Sequence, residues 1–91
     1  MKALVCEKSK FTSKGTEYFT CILTAYNSFT KDLRIVSEKD KTTGKYVPKR
    51  YFIPAKVYDS VFVGSVYDFS FFANPETGLS SINDVKPAKF D

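Results

Sequence analysis

The 91-residue sequence contains no histidine, no tryptophan, one methionine, two cysteines and four glycines. Each shortage excludes a kind of chemistry. Without histidine, a serine or cysteine nucleophile lacks its usual base. Cys6 and Cys21 do not form a Cys-x-x-Cys pair and have no histidine to join them, so no zinc centre is expected. The acidic residues are scattered singly, which leaves no carboxylate pair for hydrolysis. The glycines are isolated turn residues and not a phosphate-cradling run. No apolar run approaches the ~18 residues of a membrane span, and "MKALVCEKSK" lacks the long apolar stretch of a secretory leader. These absences predict a non-enzymatic, cytoplasmic protein without metal or cofactor. Both cysteines are then expected as reduced thiols.

Aromatic rings and cations are what the chain does have. Nine Phe and six Tyr in a chain of 91 residues are more rings than a single small core can hide. The net charge is +4, and it is unevenly spread. Residues 1–16 carry a local +3, residues 38–50 another +3, and the remainder −2. Such runs are commonly solvated loops, but here both are interleaved with rings. Lys8, Lys10 and Lys14 alternate with Phe11 and Tyr18, while Lys45, Lys49 and Arg50 alternate with Tyr46, Tyr51 and Phe52.

Nearly every segment has strand periodicity, with alternate residues on opposite faces. "KALVCEK" is a first strand, and Lys14-Gly15 supplies a hairpin turn. "KGTEYFTCILTAY" is the second. Its Phe19, Cys21, Leu23 and Ala25 form an apolar face for the core. Tyr18, Thr20, Ile22, Thr24 and Tyr26 form the face expected to meet water. "LRIVS" is read as the third strand, "EKDKTTGK" as a polar loop, and "YVPKRYFI" as extended chain that Pro48 confines to an edge or a bulge. "PAKVYDS" is the one candidate helical turn. "VYDFSFF" and "LSSINDVK", joined by a turn at "NPETG", complete the set. The chain is predicted to be one domain over residues 1–91: an all-β, five-stranded antiparallel OB-type barrel with a short helical turn before strand 4. An SH3-like barrel is the nearest alternative by strand count. The expected core includes Phe19, Cys21, Leu23, Leu33, Ile35, Tyr67, Phe69 and Phe71.

A surface of rings and lysines suits single-stranded nucleic acid, in which cations track phosphates and rings stack on bases. The candidate binding residues are Lys10, Phe11, Lys14, Tyr18, Tyr26, Lys45, Tyr46, Lys49, Arg50 and Tyr51. Tyr18 and Tyr26 sit on one strand face roughly 27 Å apart, so each would serve a different part of a bound strand. A basic aromatic β domain also suits protein binding, for example as a phage or plasmid inhibitor of a host protein. A single-stranded RNA ligand is a third candidate, because stacking does not distinguish it from DNA.

Gly15 followed by Tyr18 and Tyr26 resembles the DNA-binding wing of the single-stranded DNA-binding (helix-destabilising) proteins of filamentous bacteriophages. In that family a glycine turn leads into a strand bearing two DNA-facing tyrosines. "VGSVYDFSFF" and "TGLSSINDVKPAK" are similar to the family's later strands and its closing segment, so the likeness spans most of residues 8–89. The resemblance implies an OB-type fold that coats single-stranded DNA during phage replication, with little sequence preference. It also implies a homodimer, associated through the hairpin that corresponds to "ANPETG". That hairpin is shorter here, while "EKDKTTGKYVPKR" is a longer insert that would serve as an additional basic arm.

Overall fold

The computed structural model describes residues 1–27, 29–73 and 80–90. The elements are β1 (Lys2–Ser13), β2 (Thr16–Asn27), β3 (Asp32–Ile35), β4 (Ser37–Lys39), β5 (Tyr46–Pro48), β6 (Arg50–Phe52), α1 (Ala55–Tyr58), β7 (Val66–Ala73) and β8 (Ser80–Pro87). Five of the strands close a barrel in the order β1-β2-β6-β8-β7 and back to β1. Four of the closing pairs are antiparallel, and β6 meets β8 in parallel at Phe52 and Ser81. This is an OB-type barrel, with the helical turn α1 before its fourth stave, as the sequence predicts. Residues 74–79, where the sequence predicts a turn and which include most of the segment that the resemblance makes a dimer contact, lie outside the described residues.

The long β1–β2 hairpin gives the barrel its wing. Lys14 (φ 52) and Gly15 (φ 79) form the two-residue turn between the paired Ser13 and Thr16. Two positive φ values in succession are the type I′ geometry that matches strand twist. Counting from this turn, Phe11 pairs with Tyr18 and Glu7 with Ile22. At the base of the hairpin Val5 pairs with Leu23, a register one residue different. A bulge at Cys6 reconciles the two. The core requires Val5 and Leu23 inside, the turn requires Phe11 opposite Tyr18, and one extra residue satisfies both.

The core gathers Ala3, Val5, Cys21, Leu23, Tyr51, Ile53, Val57, Val61, Tyr67, Phe69 and Ile82, with Phe19 packed partly buried against it. Three expected core residues lie elsewhere. Leu33 and Ile35 are 53% and 50% exposed, because β3 is not a barrel stave. The three-residue β6 takes that place by pairing with Thr20–Ile22, and β3 pairs only with the farther end of β2, Thr24–Asn27. Phe71 is 37% exposed at the barrel's rim, where its ring leans on Tyr51 at 5.1 Å and lies 6.4 Å from the Phe69 ring. The expected polar loop at 38–45 contains more order than its composition suggests. β4 pairs with β5, and the Asp40 carboxylate accepts from the N–H groups of Thr42 and Thr43. Pro48 ends β5 in this two-stranded sheet, an edge position as expected.

Candidate nucleic-acid interface

The outer face of β2 departs from the expectation that it meets water. Tyr18 is 38% exposed at one end, but Thr20, Ile22 and Thr24 in the middle are buried. Neighbouring strands supply the cover. Ser9 shares a 2.9 Å hydrogen bond with the Thr20 hydroxyl, and Cys6 is hydrogen-bonded to the Thr24 hydroxyl. Ile22 lies between Glu7 of β1 and Arg50 of β6, its partners in register. Arg50 crosses above it, with Nη2 3.8 Å from Glu7 Oε1 and Nη1 donating to Ser9 Oγ at 3.2 Å. The floor between the two tyrosines is therefore roofed by side chains and is not an open platform.

At the wing end, three rings meet. Phe11 stacks on Tyr18 with ring centres 5.3 Å apart and planes 24° apart, and Tyr18 meets Phe52 edge-on at 6.0 Å. The cluster borders an open groove of about 710 Å³ between the wing and the chain leaving β6, lined also by Phe19, Pro54 and Ile82. Phe52 was not among the expected site residues, whereas its neighbour Tyr51 was. Alternation along β6 reverses the two: Arg50 and Phe52 face outward, and Tyr51 pairs with Cys21 and points into the core, 7% exposed. Burial pushes the Tyr51 phenol above its ordinary pKa of 10.0, helped by the nearby Cys21 and Glu38. Tyr51 is a core residue and not a stacking platform.

The cations divide in the same way. Lys14 stands at the wing tip and Lys10 is exposed along the wing, paired with Phe19 and hence on the face opposite Phe11. Lys8 is drawn away: its ammonium donates to the Tyr58 carbonyl at 2.8 Å and lies 4.1 Å from that ring's centre. Lys49 sits 4.9 Å above the Tyr51 ring, Lys45 is exposed beside β5, and Tyr46 is 76% exposed on β5. Among the described residues Glu17 is the one charged side chain lining the groove, so the described lysines and arginines flank the groove without lining it. Tyr26, at the far end of β2, stacks on Phe90 at 4.9 Å. The sequence reading missed Phe90 as well. Its position in a short segment after the last strand gives no periodic signal.

Among the described residues no group of three or more cysteine, aspartate or glutamate side chains has metal-binding geometry. Cys6 and Cys21 are both free thiols. None of the helical residues described forms a helix long and apolar enough to cross a membrane. Comparison with family models, with curated proteins and with solved structures finds no match for this chain.

Proposed function

We propose that this protein binds single-stranded DNA with little sequence preference, as a replication protein of the kind its wing resembles in filamentous bacteriophages, acting in the cytoplasm of a bacterial host. One observation carries the reading. The exposed Phe11 and Tyr18 and the half-buried Phe52 form a ring cluster on the strand 2–3 face of an OB-type barrel, the face this fold offers to oligonucleotides. Bases stack on the rings, each worth roughly 1–3 kcal/mol. Arg50 and Lys14 take the adjoining phosphates, and Tyr46 with Lys45 extends the path along the β4–β5 hairpin. The role is binding and not catalysis, and by resemblance the working unit is a dimer.

Titration of intrinsic tyrosine fluorescence with oligo-dT at several salt concentrations tests this. Binding that weakens steeply as salt rises is expected, since each phosphate contact releases counterions and steepens the slope by about 0.7 for a single strand. No binding even at low salt would remove the reading and favour a protein partner. Equal affinity for oligo-U and oligo-dT would extend the ligand to RNA.

A further inference from the structure

Among the described residues β3 pairs only with β2, so its second edge is open. The β2–β3 register continues to Val36, whose N–H donates to the Leu23 carbonyl at 2.8 Å. Alternation along the strand then turns the N–H and C=O of Leu33 and the N–H of Ile35 away from β2, with no backbone partner among the described residues, while the Ile35 carbonyl accepts from the Ser37 hydroxyl at 3.2 Å. An open row of such groups is a template for another strand. The side chains indicate which strand. Leu33 and Ile35 share the outer face with Tyr26 and Thr24, and Asp32 and Arg34 share the other; all four β3 residues are exposed. Edge charges of a single sign would repel a second copy of this strand. Opposite signs two residues apart attract it when the strands run antiparallel.

We propose that this edge is a homodimer interface, in which β3 pairs with β3 of a second copy about a two-fold axis at Leu33. Leu33 then faces Leu33 of the second copy, and Asp32 of each chain faces Arg34 of the other. Neighbouring registers are worse. Centring on Arg34 sets guanidinium against guanidinium, and a centre between residues sets the apolar face of one copy against the charged face of the other. With the axis normal to the sheet, the two β2–β3 sheets become one, and both Tyr26 rings lie on the same side. This surface is distinct from the β7–β8 hairpin through which the resembled family pairs, and the pairing does not depend on DNA binding.

Sedimentation velocity over a concentration series tests it. The parent should show a monomer–dimer equilibrium. Asp32→Arg alone gives a chain with two cations on this face, and Arg34→Asp alone gives one with two carboxylates. Each should weaken self-association by about tenfold or more, and an equimolar mixture of the two should recover the dimer. Leu33→Cys should form a disulfide dimer under mild oxidation, because facing Cα atoms lie within disulfide range. Ile35→Cys, several residues from its symmetry mate, should not. A parent that remains monomeric, a dimer indifferent to both charge reversals, a mixture no tighter than its components, or Ile35→Cys cross-linking as readily as Leu33→Cys would overturn the proposal. Oligo-dT binding by the monomer would leave the DNA reading standing even then.

Discussion

Arg50 and Glu7 meet across β2, Nη2 to Oε1 3.8 Å, with the buried Ile22 between their strands. Both side chains are about half exposed, so the pair contributes at most about 1 kcal/mol to stability. Its larger effect concerns the proposed ligand. Glu7 occupies one side of a guanidinium that adjoins Phe52, where a phosphate would lie, and so competes with the backbone of a bound strand.

Glu7→Gln should therefore tighten oligo-dT binding. The slope of log K against log salt should steepen by up to about 0.7, the value of one single-strand phosphate contact. Chemical denaturation should move by less than about 1 kcal/mol. An unchanged slope would mean that Arg50 remains with Ser9 and takes no phosphate.

The rings predict a graded series. Tyr18→Ala and Phe52→Ala should each cost roughly 1–3 kcal/mol of oligo-dT binding with little change in salt slope. Tyr26→Ala should cost less, because its ring is already stacked on Phe90. Tyr51→Ala should act on the fold, losing about 3–5 kcal/mol of stability as a core aromatic. Fluorescence titration paired with urea melts separates the two effects. Folded Tyr18→Ala that binds as tightly as the parent would make the cluster structural.

Much of this was legible in the sequence because burial follows strict alternation. Cys21 and Leu23, or Tyr67 and Phe69, need only one correct phase to be placed inside. The wing was legible because Lys14-Gly15 fixes its own register. What escaped was decided by competition between segments for one edge of β2. "LRIVS" has the better strand composition, yet the three residues of β6 close the barrel, since α1 and β7 follow β6 directly and must return to β1. Leu33 and Ile35 moved outside for that reason, and Tyr51 exchanged roles with Phe52. Nor does alternation within one strand reveal what lies over a face. The cover on Ile22 comes from Glu7 and Arg50, which are far apart in the chain and adjacent only through register.

Alkaline stability provides a test of the core. Burial raises the Cys21 thiol from 9.0 to about 12, and it raises the Tyr51 phenol above 10.0. Both groups are held neutral in the folded chain. Their contribution is fully present below the unfolded values and is lost as pH rises, because the unfolded chain releases protons that the folded chain keeps. The Cys21 loss begins near pH 9.0 and runs to about 12, at about 1.4 kcal/mol per pH unit. Tyr51 adds to it above pH 10.0. Cys21→Ala should flatten the decline between those two onsets while lowering stability slightly at neutral pH. Urea midpoints across the alkaline range would show this, and a decline unaltered by Cys21→Ala would assign it to other groups.

Lys14 at the wing tip allows stability and binding to be set against each other. Its φ of 52 lies in the left-handed region, which costs an ordinary side chain roughly 1 kcal/mol and which asparagine tolerates better. The first position of a type I′ turn before glycine favours asparagine for that reason. Lys14→Asn should raise stability by about 0.5–1 kcal/mol, judged from turn preference and backbone strain. The same change removes a cation from the proposed DNA path. Oligo-dT binding should weaken, and the salt slope should fall by about 0.7 for any base composition. Both changes in one variant would indicate that lysine occupies this position for its charge, at the expense of the turn. If Lys14→Asn gains stability with its salt slope unchanged, the wing tip makes no phosphate contact. The cationic path would then be confined to Arg50 and the β4–β5 hairpin.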